Sequence, residues 1–188
     1  MDKITEEDQK KEDPRGAAYD GLQVLMTAAV ALVLVFAFIG RITPVSGSSM
    51  ESTLFTGDLM LVRDIGYTEP QTGDVVVLTK EFDAANGPIV KRVIATGGQQ
   101  VEIDYSTGTV YVDGEPLEED YLNEPMLAPW YGGLTSVTVP EGSIFVMGDN
   151  RNHSNDSRDV TLGTVDTRYV MGKAELVFFP FEHFQKLG

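Results

Sequence analysis

The feature that most constrains this chain is an uninterrupted apolar run at residues 22–39. Its eighteen residues carry no charge, and only Gln23 and Thr27 are polar. At about 1.5 Å per residue, a helix of this length spans roughly 27 Å, close to the hydrocarbon thickness of a thin bilayer. A soluble helix normally has a polar face, and this segment has none. The sequence therefore predicts one transmembrane helix at residues 21–40, with a buried core helix and a cleaved secretory signal as alternatives.

Basic residues are distributed unevenly around this run. Lys3, Lys10, Lys11 and Arg15 precede it, whereas Arg41 stands almost alone after it. Because basic residues are retained on the cytoplasmic side, we expect a single-pass plasma-membrane protein with its N-terminus in the cytoplasm and its remainder outside. The first twenty residues, 1–20, are rich in charge and poor in large apolar side chains, which predicts a disordered tail.

The charge balance and the absence of cysteine exclude several classes of function. The chain has 14 basic and 29 acidic residues. A nucleic-acid partner is not expected, because binding a phosphate backbone requires a basic surface. Without cysteine there is no disulfide scaffold, no thiolate nucleophile and no cysteine metal site.

The remainder of the chain, residues 41–188, changes to short β-branched stretches separated by glycine, proline and aspartate. These stretches predict strands at 59–65, 74–79, 89–95, 100–104, 109–114, 136–140, 143–148 and 175–179. Residues 106–108 are typical of a hairpin turn, and Asp113-Gly114 is a second turn signal. The segment 115–134, which contains Trp130, has weak strand character and is interpreted as a peripheral loop. We therefore predict a mainly β fold, an antiparallel barrel or sandwich-like domain preceded by one transmembrane α-helix.

Three features of this β domain have the residue types needed for chemistry. The first is the serine-rich segment 47–54, where a polar connector competes with a nucleophile. The second is Lys91, which lies in an otherwise apolar strand face. Burial there would lower its pKa and make it a general base, whereas an edge-strand lysine would simply extend its amine to water.

The third feature is the polar run 147–159, which begins where an apolar strand ends. A solvated loop is the simplest interpretation. A calcium loop is disfavoured, because Arg151 stands where a ligand is expected and the required glycine and late glutamate are absent. His153 is a candidate base for a serine, although a weak one.

In their order and residue types, these features together resemble the type I signal peptidases, membrane-bound serine proteases that remove signal peptides from exported proteins. The likeness covers almost all of residues 20–180. The matching blocks are VSGSSMESTL (45–54), GDLMLV (57–62), VKRVIA (90–95) and GDNRNHSNDSR (148–158).

The resemblance implies a serine–lysine dyad and assigns roles to individual positions. Ser49, directly before Met50, would be the nucleophile and Lys91 the general base. The backbone N–H of Ser49 would hold the oxyanion, while Gly47 stands where some members add a serine donor. Ser154 would hydrogen-bond and orient the lysine. Residues that would brace the fold around the site are Asp149, Asn150, Arg151, Asp156 and Arg158.

The family scheme requires no metal and no organic cofactor. Its implied partners are the lipid bilayer and the signal peptides of secretory preproteins, bound as an added strand and cut after small residues. This chain departs from the family at Ser52, where proline is usual, and in the longer spacing within 158–163.

Two other functions remain open from the sequence. A relative of the Ser/Lys self-cleaving repressors would share a similar β core, but no DNA-binding segment is visible and the apolar run would be unexplained. A catalytically inactive, membrane-tethered β domain that binds extended peptides would retain the fold without the reaction.

Overall fold

The structure is a computed structural model that describes residues 14–80, 87–129 and 132–187. Its helix, α1, spans Pro14–Ile39, and the compact unit that carries the strands starts at Ile39. The helix begins earlier than the predicted residue 21, with proline in its first turn, where the missing N–H costs no hydrogen bond. The first part of the predicted disordered tail, residues 1–13, lies outside the described residues. Among the described residues, no helix combines the length and the apolar character needed to cross a bilayer.

The second unit is built from short antiparallel strands, which confirms the prediction of a mainly β fold. The strands are β1 (Arg41–Pro44), β2 (Leu59–Arg63), β3 (Val75–Leu78), β4 (Ile89–Thr96), β5 (Gln100–Asp104), β6 (Thr109–Val112), β7 (Glu115–Pro116), β8 (Ser136–Thr138), β9 (Ser143–Met147), β10 (Val165–Asp166), β11 (Val170–Phe179) and β12 (Gln185–Lys186). Single turns of 3-10 helix span Arg151–His153, Thr167–Tyr169 and Phe181–His183.

Within the described part of the chain, the strands form two antiparallel sheets. The larger sheet has eight strands in the order β1-β2-β11-β3-β4-β9-β10, with β12 paired to β11. The smaller sheet has four strands in the order β7-β6-β5-β8. The predicted hairpin is the β5–β6 pair, and the second predicted turn adopts left-handed backbone at Asp113 and Gly114.

Each of the eight predicted strands is present, and β-branched residues occur in them either in continuous runs or in alternation with polar ones. Val75 to Leu78, for example, are all buried in the middle of the larger sheet. The sequence did not predict β1, β7, β10, β12 or the first half of β11. Apart from β7, the described residues of 115–134 contain neither helix nor strand, and Trp130 lies outside the described residues.

Of the three core clusters among the described residues, two pack the segment 45–58 and the smaller sheet onto the larger sheet. One lies beneath the segment 45–58 and includes Met50, Leu54, Val177 and Leu187. The other joins the smaller sheet to β4 and β9, where the side chains of Val101 and Val110 pack near Phe145. The serine-rich segment is therefore anchored on the larger sheet, and the smaller sheet packs against the adjoining strands.

Candidate active site

The segment 45–58, which we call the nucleophile turn, folds back on itself between β1 and β2. Val45 N–H donates to Asp58 O at 2.8 Å, and Gly57 N–H donates to Val45 O at 3.0 Å, so the two ends of the turn are joined. Met50 and Leu54 are buried in the core beneath it. This anchoring leaves Ser49 half-buried at the edge of the core.

Residues near the C-terminal end also hold the nucleophile turn. Gln185 Nε2 donates to Thr53 O at 2.6 Å, and Leu187 packs in the same core cluster as Met50. His183 Nδ1 lies 2.7 Å from Asp58 Oδ1. The turn is thus closed by residues that are distant in the chain.

Lys91 lies in β4 opposite Val76, and the residue is 3 % exposed. Its Nζ is 2.7 Å from Ser49 Oγ and 3.0 Å from Val90 O. The structure thereby brings together the two residues that the sequence predicts as nucleophile and base. No hydrogen bond joins the ring of His153 to Ser49 within the described residues.

Burial lowers the pKa of Lys91 from 10.5 to about 8. The carboxylates of Asp156 and Asp149 act in the opposite direction, because a nearby negative charge favours the ammonium form, while Arg158 lowers the pKa further. Desolvation has the larger effect. An amine with this pKa is present in its neutral, basic form in about one molecule in ten at pH 7.

Asp149 connects the nucleophile turn to the strand that carries Lys91. Its carboxylate accepts from Arg92 Nε at 2.8 Å and from Arg92 Nη2 at 2.6 Å. Thr53 Oγ1 donates to the same carboxylate at 2.5 Å. Arg92 directly follows Lys91, and Thr53 lies four residues after Ser49. Asp149 therefore restrains the segments on both sides of the dyad.

Asp156 and Arg158 form a second buried ion pair beside the dyad, with Arg158 Nε and Nη2 each 2.8 Å from an Asp156 oxygen. Asp156 also accepts from Gly148 N–H at 3.0 Å. Burial alone would raise the pKa of the Asp156 carboxyl, but the charge and hydrogen bonds of Arg158 keep it below its ordinary value. Both charges therefore persist in the interior.

Asn150 and Arg151 fix the other side of the turn. Asn150 N–H donates to Ser49 O, and its Nδ2 donates to Ser48 O, each at 3.0 Å. Arg151, which is buried, donates to Gly148 O and pairs with Glu119. The bracing residues that the resemblance implies thus all lie around the dyad.

Ser154 differs from its predicted geometry. Its Oγ is buried, but within the described residues no hydrogen bond joins it to Lys91, whose amine contacts Ser49 Oγ and Val90 O instead. Ser154 Oγ lies against Gly148, close to the carbonyl of Ser49. The predicted hydrogen bond from Ser154 to the lysine is therefore not formed in this structure.

Gly148 is a site residue that the sequence indicated only as part of a turn. A Cβ at this position would overlap Ser154 Oγ and Ser49 O. Glycine is thus required here by the close approach of two site segments. The sequence indicated Gly148 only through its position between an apolar strand and the polar run.

The backbone of the turn offers the Ser49 N–H as a donor for an oxyanion. Gly47 N–H is already bonded to Thr56 Oγ1 at 3.0 Å, and that hydroxyl donates back to Gly47 O at 3.1 Å. Within the described residues, no hydrogen bond engages Ser49 N–H. Of the amides of Gly47 and Ser49, the one that is not engaged in this way is therefore that of Ser49. Among the described residues no group of three or more acidic or histidine side chains is placed to hold a metal ion.

Comparisons with known proteins agree on one family. Residues 19–179 match the family described as signal peptidase, peptidase S26. The chain is 38 % identical over 178 residues to a probable signal peptidase I-1 of Synechocystis sp., covering 90 % of this chain and 86 % of the relative. It is 34 % identical over 191 residues to a signal peptidase I of Bacillus licheniformis, covering 97 % and 99 %. A crystal structure of a signal peptidase I from Enterococcus faecalis is 30 % identical, with a TM-score of 0.44, covering 56 % of this chain and 96 % of that one.

Proposed function

This chain belongs to the signal peptidase family, peptidase S26, and we propose that it removes signal peptides from exported preproteins at a membrane by means of a Ser49–Lys91 dyad. The chain is a serine peptidase of this family. The contact between Lys91 Nζ and Ser49 Oγ at 2.7 Å carries the assignment of the dyad. A lysine that is both buried and in contact with a serine hydroxyl has the geometry and the lowered pKa of a general base.

In the proposed reaction, neutral Lys91 takes the proton of Ser49 as Oγ attacks the scissile carbonyl carbon. The oxyanion that forms is stabilised by the Ser49 N–H. The lysine ammonium then gives its proton to the leaving amine as the C–N bond breaks, which leaves an ester on Ser49. A water molecule, deprotonated by the same amine, hydrolyses this ester and restores the dyad.

The proposed substrate is the extended cleavage region of a signal peptide. A peptide bound as an added strand points alternate side chains at the enzyme, so the first and third residues before the cut would occupy shallow pockets. Small side chains are expected at both positions. Ser49 follows the apolar run by about ten residues, which would keep the dyad within about 30 Å of a membrane surface.

The proposed tether is the apolar run at 22–39, with the N-terminus in the cytoplasm and the catalytic domain outside. The proposal is supported by the uncharged sequence and by the excess of basic residues before it. It can be tested by flotation with liposomes, where the wild-type chain is expected to rise with the lipid. A variant with Leu25→Asp and Leu32→Asp should stay at the bottom of the gradient, while the control Gln100→Asp, in an exposed strand position, should float.

The dyad is tested by cleavage of a preprotein in detergent. Ser49→Ala and Lys91→Ala should each lower kcat by about a thousandfold or more. The first variant lacks the nucleophilic hydroxyl, and the second lacks the amine that would deprotonate it. Ser48→Ala and His153→Ala are the matched controls and should retain normal turnover. Circular dichroism and thermal unfolding establish that each variant is folded.

Two outcomes would change the assignment. Normal turnover by Lys91→Ala would show that another group is the base. A wild-type chain that binds the preprotein without cutting it would favour the inactive peptide-binding domain.

A further inference from the structure

Ser52 makes a contact that the reaction scheme does not use. It lies three residues after Ser49 in the nucleophile turn, and its Oγ donates to Tyr121 O at 2.6 Å. The two residues are 69 positions apart in the chain. The bond therefore joins the nucleophile turn to the segment 115–134, which the sequence indicated only as a peripheral loop.

Tyr121 also contacts the strand that carries the base. The guanidinium carbon of Arg92 lies 4.0 Å from the centre of the Tyr121 ring, a cation–π contact. Arg92 directly follows Lys91 in β4. Tyr121 thus contacts the nucleophile turn through its carbonyl oxygen and the residue next to Lys91 through its ring.

Tyr121 is itself held in place. Its hydroxyl donates to Glu119 Oε1 at 2.8 Å. Glu119 is paired with Arg151, whose Nη1 donates to Glu119 Oε2 at 2.9 Å, and Arg151 is buried. The segment 119–121 is consequently fixed to the same polar network that surrounds the dyad.

Lys91 Nζ and Ser49 Oγ must stay close and aligned for proton transfer, and small displacements at such a contact reduce rates strongly. We infer that Ser52 and Tyr121 form a latch that sets the position of the nucleophile turn relative to Lys91, and that Ser52 is a positioning residue for the reaction. This inference rests on the proposed function.

Removing the hydroxyl of Ser52 should not unfold the chain. A surface cavity of about 830 Å³ is lined by Ser52, Thr53 and Tyr121. Water entering this cavity can hydrogen-bond the Tyr121 carbonyl when the hydroxyl is absent, which limits the cost of leaving it unpaired. Ser52→Ala is therefore expected to change the position of the nucleophile turn without unfolding the chain.

The first experiment compares kcat and KM for cleavage of a preprotein in detergent by full-length variants. Ser52→Ala is expected to lower kcat about tenfold with KM changed less than about twofold, because the turn remains present but is less well placed. Ser52→Thr, which keeps a hydroxyl, should restore most of kcat. Ser106→Ala is the matched control, since it removes a serine hydrogen bond of 2.6 Å to Asp104 in an exposed turn of the smaller sheet.

A double-variant cycle tests whether the hydroxyl and the ring act together. Tyr121→Leu keeps the backbone carbonyl but removes the ring beneath Arg92. If the two contacts form one latch, the fold loss in kcat of the double variant Ser52→Ala/Tyr121→Leu should be smaller than the product of the fold losses of the two single variants. Losses that multiply fully would show that the contacts are independent, which overturns the latch.

Hydrogen exchange provides a measurement that does not depend on turnover. Ser52→Ala should raise amide exchange in both 47–57 and 117–123, whereas Ser106→Ala should change neither. Unchanged kcat or unchanged exchange in Ser52→Ala would overturn the inference while leaving the Ser49–Lys91 dyad intact. A wild-type chain that leaves the preprotein uncut would overturn the proposed function and, with it, the catalytic role of the latch.

Discussion

The two sheets of the β domain are stabilised in different ways. The larger sheet and its connections surround the dyad and contain the buried polar residues of the described chain, which are Asp58, Asp74, Lys91, Arg92, Asp149, Asn150, Arg151, Asp156, Ser157 and Arg158. No strand of the smaller sheet contributes to this group. Its buried face consists of apolar side chains such as Val101, Ile103 and Val110.

This difference shows in which region buried polar groups lower the stability of the protein. Buried ions lose hydration, and their attraction restores that loss only when the geometry is good, whereas apolar burial is directly favourable. The region around the dyad is consequently held by buried charges in addition to the apolar cluster beneath the nucleophile turn, and the smaller sheet by apolar packing. Substitutions in the two regions should therefore have different signatures, with the following effects in order of size.

The largest effect is expected where a buried ion is left without its counter-charge. Asp156→Asn removes the negative charge that faces buried Arg158, and should lower the free energy of unfolding by about 3–5 kcal/mol in urea titrations. Asp166→Asn is the matched control, because its partner Arg168 is 86 % exposed, and it should produce no measurable change. Equal losses would contradict the distinction between buried and exposed pairs.

The second effect has the opposite sign, because Lys91 itself destabilises the fold. Its pKa falls from 10.5 to about 8 on folding, so Lys91→Met should raise the free energy of unfolding by roughly 3 kcal/mol at pH 7 while abolishing cleavage. Between pH 8 and 10.5 the unfolded wild-type chain binds more protons than the folded one, so wild-type stability rises with pH and the advantage of the variant shrinks. Lys173→Met, which leaves Asp74 without its ion pair, should instead destabilise.

The third effect is a loss of activity caused by crowding at the site. A Cβ in Gly148→Ala would overlap Ser154 Oγ and Ser49 O, so the nucleophile turn must shift and kcat should fall about a hundredfold, equivalent to about 2.7 kcal/mol. Gly108→Ala is the control, because a Cβ there would crowd Met126 O at 3.0 Å in the β5–β6 turn of the smaller sheet. It should lower the melting temperature and leave kcat of the folded fraction unchanged.

The fourth effect compares one apolar substitution in each of two core clusters and separates stability from activity. Val110→Ala in the smaller sheet should cost about 2 kcal/mol in urea unfolding and leave kcat at 25 °C unchanged. Val177→Ala should cost a similar amount but also lower kcat, because Val177 packs in the cluster that contains Met50 beneath the nucleophile turn. The same loss of kcat in both variants would show that the two regions are not distinct.

The smallest effect is the pH dependence of the wild-type enzyme. Below the Lys91 pKa of about 8, kcat/KM should fall about tenfold per pH unit as the amine becomes protonated, and above it the rate should level off. The measurement is a pH–rate profile in detergent. A limb of the profile that disappears in His153→Ala would assign the base to histidine instead.

The sequence predicts well what depends on local pattern. The central strands were visible because runs such as Val75–Leu78 are continuously apolar and rich in β-branched residues. The short strands β10 and β12 have only two residues each and no such signal, so their pairing depends on neighbours that are distant in the chain. Ser49 and Lys91 were found from the resemblance, and the structure places them in contact.

The contacts around the dyad were less predictable, because they depend on close approach between remote segments. Glu119 and Tyr121 lie in a stretch without periodicity, and nothing local indicates that Tyr121 meets Ser52. The same limitation applies to Gly148, whose requirement for glycine comes from Ser154 and Ser49 rather than from its own turn.

The hydrogen bond from Gln185 to Thr53 has a consequence for the timing of synthesis. Gln185 is made 132 residues after Thr53, and Leu187 completes the core beneath Met50. A growing chain that already includes Ser49 and Lys91 still lacks the residues that close the nucleophile turn. The nucleophile turn can therefore be closed only after synthesis has reached Leu187.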